Sequence, residues 1–380
     1  MERDGDLVWC AMKPEVSPLR VIIKAICLFV VVNIVYAVVN PQVSNISGYN
    51  SLFPGRTRLP FGISGDPFTV AVDDVNTMFA SHAISAGKMS KEFRVALIGD
   101  SSVWGENLNA DEVISEQWNK LNLLCGKKTV KTYNLGYPHP SVIKDLVILD
   151  KVVEYDPDLI IWFVTLNTLI SQRVNPFLTA NHERVAKVLN EYDISFEQGG
   201  NFIKEEPDFF EKTLIGQRSK LARQIKLQML GIIWTATGAD KNVSSEDHLP
   251  NQKINDDHRY HGMQPPDDLT NMLLFSAITA GQGIADSVPV LIVNEPIFIS
   301  GEANGLVRYN LPYPRWAYDQ YRDAIGQQAQ TAQWNYLDLW NAVPPEYFSD
   351  AGLHLSAKGE RLLIDQVNPA LESVWCKQNP

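Results

Sequence analysis

Positive charge is in short supply in this sequence. The 380 residues include 33 Lys and Arg against 44 Asp and Glu, so the formal net charge is −11. A nucleic-acid-binding protein presents a basic surface to phosphates, and this composition gives no such field. We therefore expect no nucleic-acid partner. The 45% hydrophobic and 20% charged residues are ordinary globular values, which exclude a disordered chain.

Long hydrophobic runs are also scarce. The mean hydropathy of −0.13 excludes a polytopic membrane protein. Only residues 21–39 approach the roughly 20 apolar residues that a membrane-spanning helix needs, with Lys24 and Asn33 as the strong polar interruptions. We predict one anchor in the lipid bilayer over residues 19–39, a cytoplasmic segment 1–18, and a remaining chain outside the cytoplasm.

A cleaved signal peptide is the alternative, because the Val-Tyr-Ala sequence that ends at Ala37 would be an acceptable cleavage site. The product would then be secreted. The segment before the apolar run favours the uncleaved anchor. It contains acidic side chains that signal peptides avoid, namely Glu2, Asp4, Asp6 and Glu15.

Beyond the anchor, the sequence divides into two regions. Residues 40–90 are rich in Pro, Gly, Ser and Asn, which predicts a stalk that packs onto the following domain, residues 91–380. In that domain, short apolar runs alternate with amphipathic segments, which is typical of a parallel sheet with helices on both faces. The runs are 94–98, 129–135, 159–164, 288–293 and 335–339. They predict a three-layer α/β/α fold with a long, mostly helical insertion at about 171–287.

A short polar motif follows the first predicted strand. Gly99, Asp100 and Ser101 come directly after Ile98, at the end of the strand where open α/β sheets bind ligands. Ser101 at the start of a helix would have an exposed hydroxyl beside N–H groups that favour developing negative charge. A plain helix N-cap would explain the same serine.

The C-terminal region supplies the partners that a nucleophilic serine needs. His354 follows Asp350 after the last predicted strand. His354 would remove the proton of Ser101, and Asp350 would orient the imidazole. At two other strand ends, the N–H of Gly136 and the side-chain amide of Asn167 would join the N–H of Ser101 as an oxyanion hole.

This set of residues, in this order, resembles the SGNH/GDSL hydrolase family, and the resemblance covers about residues 93–175 and 288–375. It implies a flavodoxin-like sheet, ester-bond chemistry by Ser101 and His354, and no metal or organic cofactor. Membrane-tethered members resemble proteins that act in O-acylation of cell-surface polysaccharides. The implied partners are therefore small-molecule or polysaccharide acyl esters.

Three positions depart from the family pattern. The third block usually reads Gly-x-Asn-Asp, whereas residues 165–168 read Thr-Leu-Asn-Thr. Ser102 replaces the usual Leu after the nucleophile, and Asp350 precedes His354 by four residues rather than three. The last difference leaves open whether Asp350 or a backbone carbonyl orients His354.

Other side chains near the same sheet edge are candidates for substrate binding. His139 would line the pocket, and an aromatic and basic segment after the fourth strand includes Tyr313, Arg315 and Trp316. Such side chains suit sugars or acyl esters, although ordinary loop packing would explain them equally well.

Cysteine is scarce as well. Of four cysteines, Cys10 would be cytoplasmic and Cys27 would lie in the span, which leaves Cys125 and Cys376 in the exported part. Apolar spacing predicts that Cys125 ends the first helix of the domain and that Cys376 ends the last. Those helices are neighbours in a flavodoxin-like order, so we predict a disulfide between the two cysteines.

Two functional hypotheses follow. The leading one is a membrane-anchored, extracytoplasmic serine esterase or O-acyltransferase with an acyl-enzyme at Ser101. The alternative is a catalytically inactive subunit that binds glycans or scaffolds an envelope assembly together with protein partners. The enzyme requires Ser101 Oγ within hydrogen-bond reach of His354 Nε2, which a structure can test.

Overall fold

The computed structural model describes residues 17–48, 55–61, 72–170, 174–195, 208–237, 254–301 and 303–376. The chain forms two compact units. The smaller unit comprises Met1–Gln42 with Glu205–Ala222, and the larger comprises Val43–Lys204 with Arg223–Pro380. Residues 205–222 of the predicted insertion belong to the smaller unit. The predicted cytoplasmic segment lies almost wholly outside the described residues.

The strands are β1 (Glu92–Ile98), β2 (Leu124–Cys125), β3 (Lys128–Asn134), β4 (Leu159–Val164), β5 (Val290–Asn294) and β6 (Asn335–Asp338). The helices are α1 (Pro18–Val39), α2 (Val75–Ser81), α3 (Ser101–Trp104), α4 (Ile114–Asn119), α5 (Val142–Val152), α6 (Leu166–Ile170), α7 (Pro176–Ala180), α8 (His182–Glu191), α9 (Phe209–Lys212), α10 (Arg218–Thr237), α11 (Phe275–Ala285), α12 (Arg315–Thr331) and α13 (Ala357–Ala370). A π-helical turn, Leu371–Cys376, follows α13.

In the smaller unit, α1 is an apolar helix of 22 residues with mostly exposed side chains. It begins with Pro18 and ends where Asn40 adopts a left-handed conformation. By length and composition this helix can cross a membrane, and a signal sequence near the N-terminus has the same properties. The short helix α9 packs against it.

In the larger unit, the six strands form one sheet in the order β2-β3-β1-β4-β5-β6. All neighbouring strands are parallel except the short β2, which pairs antiparallel with β3 at the edge. The five parallel strands match the five predicted runs to within two residues at each end. Their order is the flavodoxin-like one, so the predicted fold class is confirmed.

Both faces of the sheet are covered, because alternate side chains of each strand enter different cores. Val95 and Leu97 of β1 pack with α4 and α13, whereas Ala96 and Ile98 pack with α5 and α11. Strand β4 is buried along its whole length, as a central strand between two helical layers must be. The result is three layers, α/β/α.

One predicted helix is wrong in its C-terminal half. The apolar spacing predicted that this helix ends at Cys125, but α4 ends at Asn119 and Cys125 lies in β2. Asn122 and Gly126 both have positive φ, and these turns direct the chain back antiparallel onto β3. Cys125 is bonded to Cys376, with Cα atoms 4.6 Å apart. The two cysteines therefore meet, but one comes from an edge strand rather than from a helix end.

A buried ammonium group connects the loops that follow β1 and β3 and, through an aspartate, strand β4. The Nζ of Lys144, on α5, donates to the carbonyl of Gly99 at 2.7 Å and to that of Tyr137 at 2.8 Å. It also lies 2.8 Å from Asp145 Oδ1, and both side chains are fully buried. Asp145 accepts the indole N–H of Trp162 on β4 at 3.0 Å. Because a buried charge without partners is costly, each of these groups requires the others.

Replacing the buried ammonium should destabilise the fold. In Lys144→Met, buried Asp145 loses its ion-pair partner and the carbonyl of Tyr137 loses its donor, while the carbonyl of Gly99 keeps only the N–H of Tyr137. We therefore expect a loss of about 3–5 kcal/mol in the free energy of unfolding. Urea unfolding of the detergent-solubilised chain, followed by tryptophan fluorescence, measures it. Arg361→Ala is the control, because the Arg361–Asp365 pair is about half exposed, and it should cost about 0.5 kcal/mol or less. Equal stability of the two variants would contradict the assigned role of Lys144.

Candidate active site

The turn from β1 into α3 presents a serine at the carboxyl edge of the sheet. β1 ends at Ile98 and α3 begins at Ser101. Asp100 caps the helix, since its Oδ1 accepts the N–H of Ser102 at 3.0 Å and the Ser102 hydroxyl at 3.1 Å. The cap fixes the first turn, and Ser101 remains partly exposed at the end of the strand.

Three side chains form a hydrogen-bonded chain at this edge. Ser101 Oγ lies 2.8 Å from His354 Nε2, and His354 Nδ1 lies 2.5 Å from Asp350 Oδ2. An ionised Asp350 accepts the Nδ1 proton, so the lone pair of Nε2 faces the Ser101 hydroxyl. The position that the sequence left open between a carboxylate and a backbone carbonyl is occupied by Asp350.

The extra residue between Asp350 and His354 is accommodated by a turn. Asp350 Oδ1 accepts the N–H of Gly352 at 2.8 Å and that of His354 at 3.3 Å. Phe348 and Leu355 pair across the base of this loop and are both buried. Asp350 therefore stabilises the loop with one oxygen and orients the imidazole with the other.

Three carboxylates set the basicity of His354. Burial lowers its pKa, but the hydrogen bond and charge of Asp350, together with the charges of Glu106 and Asp100, raise it above the ordinary value. Glu106 Oε2 lies 3.4 Å from His354 Nε2. Burial raises the pKa of Asp350, yet its hydrogen bond with His354 brings that pKa below the usual value. The imidazole is thus a stronger base than free histidine, which favours proton removal from Ser101.

Two N–H groups at the carboxyl edge of the sheet are available to an oxyanion. Within the described residues, the N–H of Ser101 and the Nδ2 of Asn167 have no hydrogen-bond partner. Both follow the ends of neighbouring parallel strands, β1 and β4. The Tyr260 hydroxyl donates to Asn167 Oδ1 at 2.6 Å. This bond fixes the orientation of the amide, and Nδ2 remains available to donate to a substrate oxygen. Sequence reasoning missed Tyr260, because it lies in the polar insertion with no motif around it.

Gly136 does not have the role that the sequence predicted. Its N–H donates to Asn134 Oδ1 at 3.0 Å and is therefore not directed to an oxyanion. A Cβ at this position would lie 2.4 Å from the backbone nitrogen of Trp104 and 2.8 Å from the carbonyl carbon of Val103. Glycine is required here because the loop after β3 passes directly against α3.

Two buried acids behind the serine turn were also missed. Glu295, directly after β5, is hydrogen-bonded to the Ser102 hydroxyl, and Glu360 lies in the first turn of α13. Burial, together with the charge of Asp100, raises the pKa of Glu295 well above its usual value. Burial raises the pKa of Glu360 to about 8. The Ser102 hydroxyl is hydrogen-bonded to both Asp100 and Glu295, so the buried acid extends the cap of α3. The sequence signal was an acidic residue at the end of a buried strand.

The predicted substrate-binding side chains differ in their exposure. Tyr313 is fully buried, with its ring tilted against that of Tyr318 at 4.9 Å, so its predicted contact with a substrate is wrong. Arg315 lies over the ring of Tyr309, and Trp316 donates to the carbonyl of His258 at 2.7 Å. These two remain partly exposed, and their contact with a substrate stays a prediction.

His139 is exposed and has a positive φ of 88°, which is strained for a residue with a side chain. Its ring contacts Phe61 edge-on at 5.7 Å, and its role in the pocket also stays a prediction. No group of three or more His, Cys, Asp or Glu side chains within the described ranges is arranged to hold a metal ion.

No protein-family model and no curated protein matches this chain. Solved structures to which it is similar include a lipolytic protein of the G-D-S-L family from Veillonella parvula, a carbohydrate acetylesterase family member from Sinorhizobium meliloti and a catalytic mutant of an acetylxylan esterase from Geobacillus stearothermophilus. The identities are 10%, 12% and 12%, with TM-scores of 0.36, 0.32 and 0.38. The matches cover 74%, 73% and 76% of this chain and 99%, 97% and 98% of the others. Because these TM-scores are low, the chemistry of the site is argued only from the geometry described above.

Neutralising either of the two carboxylates nearest to His354 should lower the pKa of its imidazole. We expect a downward shift in Glu106→Gln and a larger one in Asp350→Asn, because Asp350 is nearer and less exposed. Histidine side-chain NMR over a pH titration measures both. Glu183→Gln, at an exposed position on α8, is the control and should leave the pKa unchanged. An unchanged pKa in Asp350→Asn would contradict the geometry.

Proposed function

We propose that this chain is a serine esterase or O-acyltransferase of the SGNH/GDSL type, anchored in a membrane, that acts on acyl esters of cell-envelope or extracellular glycans. The hydrogen-bonded chain of Ser101, His354 and Asp350 carries the proposal. The inactive-scaffold alternative drew on the Thr165/Thr168 block and on the long spacing between Asp350 and His354. That spacing is compatible with a 2.5 Å contact between the two side chains, and Asn167 is present between the two threonines, so the geometry favours the enzyme.

The geometry supports a two-step acyl transfer. Nε2 of His354 removes the proton of Ser101 as Oγ attacks the acyl carbonyl carbon. The tetrahedral intermediate expels the alcohol oxygen, which His354 protonates, and an acyl-serine ester remains. His354 then removes a proton from water or a sugar hydroxyl, whose oxygen attacks the acyl carbon. Ser101 leaves with the proton of His354, and the acyl group leaves as an acid or a new ester.

The negative charge of each tetrahedral intermediate falls on the former carbonyl oxygen. In the proposed mechanism, the N–H of Ser101 and the Nδ2 of Asn167 donate to this oxygen, and Tyr260 holds the amide in that orientation. The positive end of the short helix α3 adds to the same field. Gly136 is omitted from this oxyanion hole, since its N–H is already paired.

The proposed location is a single membrane span with the N-terminus in the cytoplasm and the catalytic unit outside. The apolar helix α1 supports an anchor, and the Cys125–Cys376 disulfide fits an oxidising compartment. The glycan substrate is proposed from the family resemblance and from the envelope location. Arg315, Trp316 and His139 are the proposed contacts for the sugar.

Removal of the nucleophile should abolish esterase activity. In Ser101→Ala, we expect hydrolysis of a short-chain aryl acetate by the detergent-solubilised chain to fall by at least about 10³-fold. A fluorophosphonate probe should label the unmodified protein at Ser101 and leave the variant unlabelled. Ser219→Ala, the same change at an exposed position on α10, is the control. Equal hydrolysis and labelling in both variants would refute the proposed enzyme.

Asn167 and Tyr260 should act as one unit. Asn167→Ala should lower kcat by about 10²–10³-fold with little change in KM, because its donor acts on the transition state. Tyr260→Phe should lower kcat less, since the amide remains but is no longer held. In the Asn167→Ala background, Tyr260→Phe should have no further effect on kcat. Independent, additive losses would show that Tyr260 does not act through Asn167.

A further inference from the structure

The smaller unit exposes large apolar side chains outside the anchor helix. Phe209 and Phe210 of α9 are 57% and 58% exposed, and Leu214 is 36% exposed. These residues lie within six positions of each other on a segment that packs against α1. Large apolar side chains that cluster in water are energetically unfavourable. Such a cluster indicates a surface that contacts a lipid or a protein.

The backbone that carries these side chains is rigidly built. Asp208 and Glu211 form a capping box at the start of α9. The Thr213 hydroxyl donates to the carbonyl of Phe210 at 2.6 Å and accepts the N–H of Gly216 at 3.1 Å. A Cβ on Gly216 would lie 2.3 Å from the carbonyl oxygen of Phe210, so the two ends of this turn are in direct contact. We name residues 208–217 the knuckle.

A polar side chain of the anchor helix holds the knuckle. Asn33 is buried, and its Oδ1 accepts the N–H of Ile215 at 3.1 Å while its Nδ2 donates to the carbonyl of Phe29 at 2.9 Å. Tyr36 and Ala37 lie on the same face of α1, and the Tyr36 hydroxyl is 3.5 Å from Gln217 Oε1. The polar interruption of the apolar run is therefore a binding site for a second segment of the chain.

The position of Asn33 sets the depth of the knuckle. It lies six residues before the end of α1 at Val39, which corresponds to about 9 Å along a helix with a 1.5 Å rise. Interfacial elements bury their apolar faces about 5–10 Å into the boundary between headgroups and acyl chains. Arg218 and Lys220 follow directly and are exposed, where long basic side chains can reach lipid headgroups.

We propose that the knuckle is a second membrane-contacting element, seated in the leaflet around the C-terminal end of α1, with Phe209, Phe210 and Leu214 against lipid acyl chains. This inference rests on the proposed anchor and does not depend on the proposed catalysis. Lipid is the occupant that the contacts favour, because Asn33 fixes the knuckle to a helix that is itself surrounded by acyl chains. The anchor thus contributes two contacts with the bilayer, one spanning and one interfacial.

Depth-dependent fluorescence quenching tests the proposal on the full chain. Cys10 and Cys27 are replaced by Ser, and single cysteines are introduced by Phe210→Cys and Leu214→Cys in the knuckle. Val31→Cys in the anchor and Gln327→Cys, exposed on α12, are the matched controls. Each variant is labelled with bimane and reconstituted in phosphatidylcholine vesicles that contain lipid spin-labelled at acyl carbon 5 or at acyl carbon 12.

We expect positions 210 and 214 to lose most fluorescence with the shallow label, position 31 to lose most with the deep label, and position 327 to lose none. Quenching at position 31 without quenching at 210 and 214 would overturn the knuckle while the anchor stood. A blue-shifted but unquenched emission at 210 and 214 would overturn it in favour of a protein partner. Absence of quenching at all positions would overturn the anchor and the knuckle together.

Discussion

The buried ammonium of Lys144 is the interaction on which the arrangement of the catalytic edge depends. It binds the carbonyl of Gly99, two residues before the serine, and the carbonyl of Tyr137 in the next loop. Through Asp145 and Trp162 it reaches the neighbouring strand β4. The Gly99 carbonyl also accepts the N–H of Tyr137, so the same two loops are joined by a backbone hydrogen bond and by one fully buried cation. The loops after β1 and β3 are thereby fixed relative to each other and to β4.

The electrostatics of the site divide its acids into two groups. Asp350, Glu106 and Asp100 stabilise a positive imidazole and raise the pKa of His354. Glu295 and Glu360 are buried behind the serine turn, where desolvation raises the pKa of both carboxyl groups. Glu295 is hydrogen-bonded to the Ser102 hydroxyl and so supports the cap of α3 rather than the imidazole.

In the smaller unit, too, a buried polar side chain is satisfied by a partner that is distant along the chain. Asn33 would be an expensive residue in a membrane span if its amide had no partners. The structure satisfies it with a carbonyl of its own helix and with the N–H of Ile215. A polar residue that weakens the sequence pattern of a span therefore specifies where a distant segment attaches.

Sequence alone determined the strands and singled out Ser101 and His354, because buried strands and the polar residues that follow them leave a local pattern. The strand order was expected from the family resemblance, and only the structure showed that Asp350 contacts the imidazole. It could not determine that Gly136 is needed for a close backbone approach or that Tyr313 is buried, because both depend on what packs against them. It also could not find Tyr260, Glu295 or Lys144, whose partners are distant along the chain. The cysteine pairing was predicted from an assumed helix, yet the turn at Gly126 brings Cys125 to Cys376 from an edge strand. Local periodicity encodes elements, whereas burial and long-range hydrogen bonds exist only once those elements have packed.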